Sequence, residues 1–143
     1  MNIWKKPISL DILNNLNRGN SGEYIGIEFI TIEDNSLTAR LPVDHRTVQP
    51  WGIVHGGMNV FLAETLGSIG AYYATGPEFR CIGVDVNANH LLSARKGFVI
   101  GTAYPLSTRP TMHVWAIEIK NQAGHLTCMA RMTVAILKNK RKC

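Results

Sequence analysis

The stretch MNVFLAETLGSIGAYYA, residues 58–74, is apolar on every face it would present as a helix. Ahead of two tyrosines near its end, only Asn59, Glu64, Thr65 and Ser68 carry side chains with real hydrogen-bonding demand. A helix that is hydrophobic all round has to be enclosed by the rest of its chain. What is available to enclose it reads as strand. Tyr24 to Glu33 (YIGIEFITIE) alternates and is rich in β-branched residues, and EDNS turns it into LTARLPV as a hairpin. Beyond the helix come Cys81 to His90, Phe98 to Tyr104, Met112 to Lys120 and His125 to Leu137, separated by SARKG, PLSTRP and the tight-turn segment NQAG. One helix cannot cover both faces of six strands. The expected fold class is therefore α+β, a six-stranded curved antiparallel sheet wrapped around one long central helix.

Two further segments complete the outline. PISLDILNNLNRG places Ser9 as an N-cap, Leu10, Leu13 and Leu16 at helical spacing and Gly19 as a stop, which predicts a short amphipathic helix. DHRTVQPWGIVHGG has no periodicity and reads as a loop feeding the long helix, a common place for functional residues.

At 143 residues the chain has the size of one domain, expected over residues 1–137 with a solvated basic tail at 138–143. Lys138, Lys140, Arg141 and Lys142 in that tail supply most of the net charge of +5, so no basic face for nucleic acid is expected. Charged residues make up 17% against 45% hydrophobic, which predicts that some apolar surface closes between subunits. Cys81, Cys128 and Cys143 form neither a CxxC pair nor an even framework, and MNIWKKPISLDIL lacks the apolar core of a signal peptide. The expectation is a reduced cytoplasmic protein with no membrane span.

Glu64 is the anomaly in the apolar helix. Burying an unpartnered carboxylate costs several kcal/mol, so it must find donors, shift its pKa upward or line a pocket. An ion pair at a subunit seam, with Arg95 or Arg131, accounts for it as well as a catalytic role does. Four residues on, Ser68 shares its stripe. Gly67 and Gly70 weaken the helix by about 1 kcal/mol each and predict close approach of another backbone. Just before the helix, Gly56 and Gly57 of HGG leave first-turn amides bare, and such amides, backed by the helix dipole, suit a carbonyl oxygen gaining charge. Gly56 and Glu64 are eight residues apart, about 12 Å of helical rise, too far to act on one atom. The spacing predicts a dimer in which one subunit's helix start faces the other's Glu64.

Gln49, a neutral amide in the loop, can orient a carbonyl or water, and His55 and His90 are candidate site or structural histidines. A zinc site from His55, Glu64 and His90 has no HExxH, CxxC or HxH spacing behind it. GxSxG, GxGxxG and GxxxxGK[ST] are all absent, which argues against serine-nucleophile hydrolases, dinucleotide enzymes and P-loop NTPases.

QPWGIVHGGMNVFLAETLGS resembles the hot-dog-fold acyl-CoA thioesterases, in the branch that includes 4-hydroxybenzoyl-CoA and phenylacetyl-CoA thioesterases. LPVDHRTVQPWGIVHGG, LAETLGS, VDVNANHLLSARKG and VWAIEI are most similar to the 1,4-dihydroxy-2-naphthoyl-CoA thioesterases of menaquinone synthesis and the proofreading thioesterases of enterobactin synthesis. The resemblance implies that Glu64 is the nucleophile on the thioester carbon or the base for water. It implies that Gly56, helped by Gly57, polarises the carbonyl, and that Gln49 and His55 position the carbonyl or the water. Ser68 would contact the acyl ring or the water, and His90 and Arg95 would meet pantetheine and CoA phosphates. Arg109 is a further phosphate candidate, in a PLSTRPT loop that departs from the family pattern. The resemblance calls for an acyl-CoA or acyl-carrier-protein substrate, a homodimer with shared sites or a dimer of dimers, and no metal or redox cofactor. A hydratase or dehydratase of the same fold and a non-hydrolytic acyl-CoA sensor are the competing readings. The hydratase's usual signatures are absent and HGG with a helix Glu favours hydrolysis over it, while a sensor has no need for a charge beside the acyl group.

Overall fold

The apolar helix becomes α3, Gly56–Tyr73, preceded by α1 (Leu10–Leu16), α2 (Ser21–Ile25), β1 (Glu28–Ile32) and β2 (Leu37–Pro42), and followed by β3 (Phe79–His90), β4 (Phe98–Arg109), β5 (Met112–Asn121) and β6 (Leu126–Lys138). The structure, a computed structural model, describes residues 1–141. The strands form one antiparallel sheet in the order β1-β2-β4-β5-β6-β3. The sheet curves around α3, which packs against β2, β3, β4, β5 and β6. This is the hot-dog architecture. Leu62, Leu66, Leu37, Leu41, Val99, Trp115, Ile117 and Ile119 are fully buried between the two layers.

The glycines of α3 explain how it sits so close. A Cβ on Gly67 would fall 2.7 Å from the sulfur of Met132, and one on Gly70 would fall 2.8 Å from the Trp115 ring. The neighbours are side chains reaching up from β6 and β5, not the second backbone the sequence suggested. On β4 it is Gly101 that lets helix side chains descend, its Cβ position lying 2.8 Å from Leu66 Cδ1.

Sequence and structure differ at several boundaries. The strand expected from Tyr24 starts only at Glu28, because Asn20 caps a turn of helix, accepting from Gly22 N–H at 3.1 Å, and Gly26 ends it at φ 89°. PLSTRP does not separate strands. β4 absorbs Pro105 through a bulge between Pro105 and Ser107 and runs on to Arg109. Third, Lys138 closes β6 opposite Phe79, and Asn139 donates from its backbone to Glu78 O (2.9 Å) and from its side chain to Pro77 O (3.0 Å). The start of the expected tail is thus tied to the sheet, while its last residues, Lys142 and Cys143, lie outside the described residues. Elsewhere Ser9 caps α1 as expected, accepting from Ile12 N–H, and NQAG forms the β5–β6 turn with Gly124 at φ 85°. α1 ends at Leu16 with Asn17 as its C-cap and not at the expected Gly19, and β3 starts at Phe79, two residues before the expected Cys81.

An N-terminal strap closes the open end of the core. Trp4 stacks on Trp115 with ring centroids 6.4 Å apart, and Lys6 Nζ donates to Tyr72 O (2.6 Å) and Thr75 O (2.7 Å), capping the C-terminus of α3. Burial lowers the Lys6 pKa, against the pull of Cys81 and Glu78. The opposite flank stays open. β3 is an edge strand bulged between Gly83 and Asp85, with Ile82 and Val84 exposed.

Candidate functional site

The loop before α3 is a small folded unit. Val48 and Val54 form a β-bridge, Gly52 makes the turn at φ 78°, and His55 N–H donates to Thr47 O at 2.8 Å. Buried Thr47 anchors it, donating its hydroxyl to Pro42 O at 2.6 Å and accepting from Asp44 N–H at 3.1 Å. The Arg46 guanidinium, hydrogen-bonded to Asp44, holds that carboxyl down at about 2. This frame carries Gln49 to the mouth of α3, with its Oε1 accepting from Trp51 N–H and its NH₂ left for other partners.

At the helix start the two glycines part company. His55 is the N-cap, and its Nδ1 accepts from Gly57 N–H at 2.8 Å. The expectation that both amides are bare is corrected: Gly57's is taken by the preceding histidine, which sits exposed on the rim. Gly56 N–H has no partner among the described residues. It faces a cavity of about 370 Å³ lined by Gln49, Ile53, Asn59, His90, Leu92 and Thr127 among others. His90 Nε2 stands 2.8 Å from where a Cβ on Gly56 would lie, and Asn59 Nδ2 is 3.3 Å from His90 Nδ1. The wall behind is stitched by Leu91 N–H to Thr127 O (2.8 Å) and Val54 N–H to Ala94 O (2.9 Å).

Gln49, Gly56 and His90 are thus brought together, and Asn59, only 6% exposed, joins them. The sequence marked Asn59 as polar on an apolar helix; its partner, 31 residues away, lay beyond any local pattern. Arg95 lies on the exposed loop after β3, its guanidinium donating to Trp51 O at 3.3 Å. Arg109 does not join the group: it ends β4 at the far end from Phe98, paired with Met112.

Glu64 lies two turns along α3 from Gly56, about 12 Å away. It is not buried in the single chain. Its side chain is exposed toward the open β3 edge, with Oε1 3.7 Å from the Cβ position of Gly83. Neither Arg95 nor Arg131 pairs with it, the ion pairs among the described residues being Arg40–Glu28 and Arg46–Asp44. One turn on, Ser68 contacts Met132 Sδ at 3.8 Å. Among the described residues no group of three His, Cys, Asp or Glu side chains is placed to hold a metal ion, and no helix is long and apolar enough to cross a membrane.

Chemically, one end of α3 offers donors and the other side of the same helix a free carboxylate. Residues 52–128 match the family model described as the thioesterase superfamily. The chain is 45% identical to the 1,4-dihydroxy-2-naphthoyl-CoA hydrolase of Escherichia coli (strain K12) over 94% of this chain and 99% of that protein. It is 36% identical to the proofreading thioesterase EntH of Cronobacter turicensis, over 94% of this chain and 98% of that one. Among solved structures, a thioesterase from Haemophilus influenzae superposes with a TM-score of 0.93 at 37% identity, covering 95% of each chain. With an amide-lined helix start, a carboxylate on the same helix and relatives matched along nearly their whole length, the chain belongs to the hot-dog thioesterase superfamily and is a thioester hydrolase.

Proposed function

We propose that the chain hydrolyses an aromatic acyl-CoA, of the 1,4-dihydroxy-2-naphthoyl, benzoyl or phenylacetyl type, at a site completed by a second copy of itself. The observation that carries this reading is the separation along α3 of the unclaimed Gly56 N–H from the exposed Glu64 carboxylate. The thioester oxygen sits against Gly56 N–H with the Gln49 amide beside it, and Glu64 of the partner subunit approaches the carbonyl carbon. The open β3 edge, with Ile82 and Val84 exposed beside Glu64's flank of α3, is where the second copy pairs. Pantetheine runs past the His90–Leu92 segment, and Arg95 meets a CoA phosphate; Ser68 borders the acyl ring and His55 the rim.

In the reaction an oxygen of the Glu64 carboxylate, or a water whose proton Glu64 takes, bonds to the carbonyl carbon. The carbonyl oxygen becomes an oxyanion at the positive end of α3. As the carbonyl re-forms, the C–S bond breaks and the sulfur leaves as thiolate with its electron pair, needing little protonation because thiols are acidic. If Glu64 has attacked directly, water then hydrolyses the acyl-glutamate anhydride, so one water is consumed either way. Single-turnover oxygen-18 labelling of Glu64 separates the two routes.

Similarity to the E. coli hydrolase supports the naphthoyl-CoA substrate and, with it, a role in menaquinone synthesis. Similarity to EntH supports the second reading, hydrolysis of aryl thioesters on an acyl-carrier protein. Thiol release across a panel of acyl-CoA and acyl-carrier-protein thioesters ranks them. Glu64→Ala is expected to lower kcat at least about a hundredfold on the best substrate without changing the oligomer seen by sedimentation. Near-normal turnover in that variant removes Glu64 from the mechanism.

A further inference from the structure

We propose that Asn59 is a positioning residue that fixes the His90 imidazole as its Nε2–H tautomer, making His90 a second donor beside Gly56 N–H to the thioester oxygen. The inference rests on the thioesterase reading above. An asparagine 6% exposed in the first turns of a mostly apolar helix carries a desolvation cost that a leucine would not. Its carboxamide is spent on one contact, Nδ2 to His90 Nδ1 at 3.3 Å, while its Oδ1 is buried without a hydrogen-bond partner. An N–H aimed at Nδ1 requires a lone pair there. A neutral imidazole then carries its single proton on Nε2.

The backbone presents that proton where it is useful. His90 is the last residue of β3, paired with Cys128, and the following Leu91 and Leu92 both donate to Thr127 O, so the backbone that carries the ring is held in place. Its Nε2 is the side-chain atom nearest the Cβ position of Gly56, at 2.8 Å, and a side chain there would push it away. Gly56 and His90 line one cavity, so an oxygen seated on Gly56 N–H shares that cavity with the His90 ring. With hydrogen on Nε2 the two groups act together on the developing charge; with a lone pair there, His90 would repel the same oxygen. Turning the Asn59 carboxamide around, so that Oδ1 accepts from Nδ1–H, produces the second case.

Long-range proton–nitrogen NMR of the histidine side chains distinguishes the two in the unliganded wild-type protein, with the His90 signals assigned by their loss in His90→Ala. The expected pattern is protonated Nε2 and unprotonated Nδ1; the reverse pattern overturns the proposal. Asn59→Asp, which keeps the shape but accepts instead of donating, is expected to move the proton onto Nδ1. Asn59→Leu is expected to leave a mixture of tautomers and to lower kcat at least about tenfold while KM changes less than about threefold. The double variant Asn59→Leu/His90→Ala should be no slower than His90→Ala alone, and additive losses would show that Asn59 acts elsewhere. Should Asn59→Leu not fold, the wild-type tautomer and Asn59→Asp still decide. Full turnover by Glu64→Ala would overturn the thioesterase mechanism and leave the tautomer measurement unaffected.

Discussion

At Gly56 the helix start, the His90 ring and the proposed substrate oxygen compete for one small volume. Adding a single methyl there tests the competition, because a Cβ would lie 2.8 Å from His90 Nε2 and the exposed ring would have to turn aside to admit it. Gly56→Ala keeps the amide and improves helix propensity, so thermal stability should hold or rise slightly. The turnover rate should fall at least about tenfold, as the histidine is displaced from the oxygen. Unchanged kinetics would show that His90 is not needed at that position. Part of the candidate site was legible beforehand. Gln49 in the loop and Gly56 at the helix start were singled out by residue type and do line one cavity, while Glu64, eight residues along the helix from Gly56, does not line it. What was hidden is how amides are shared: only the folded loop shows that His55 turns back to take Gly57 N–H, and only a strand return of 31 residues brings His90 to Asn59.

Among the elements, α3 shows how an apolar helix is fitted rather than merely surrounded. Gly70 lies over Trp115, which is fully buried and held on its other side by Trp4. For Gly70→Ala, the gain in helix propensity of up to about 1 kcal/mol opposes an overpacking cost of about 1–3 kcal/mol. With Trp115 pinned, overpacking should win. Chemical denaturation is expected to show a net loss of about 1–2 kcal/mol, and a more stable variant would mean that the tryptophan can move. The existence and chain order of α3 and the six strands were readable from the all-apolar run, the strand-like runs and the turn segments between them. The boundaries were not, where backbone geometry overrides composition: Pro105 is carried inside β4 by a bulge, and Gly26 ends a helical turn inside a run that alternates like a strand.

Across the whole molecule, one buried group links stability to pH. His113 is 4% exposed, faces the core, and has a pKa lowered from 6.5 by desolvation, with Nδ1 unpaired. Its folded-state pKa lies below the unfolded value, so the unfolded chain takes up the proton first. Stability should be level above about pH 6.5 and fall below it, by at most about 1.4 kcal/mol per pH unit from this residue. His113→Leu should flatten that fall when urea midpoints at about pH 7.5 and 5.5 are compared. An unchanged slope would place the acid sensitivity elsewhere.

The eight-residue offset between Gly56 and Glu64 also makes a statement about mixtures of defective chains. Gly56→Pro removes the amide and Glu64→Ala the carboxylate, and each should be inactive as a homodimer. In a heterodimer of the proposed kind, one site joins the intact helix start of the Glu64→Ala chain to the intact carboxylate of the Gly56→Pro chain, while the other site inherits both lesions. Random re-pairing of equal amounts should therefore restore about a quarter of wild-type activity from two dead proteins, a ceiling set by symmetry and not by rate constants. A site confined to one chain would restore none.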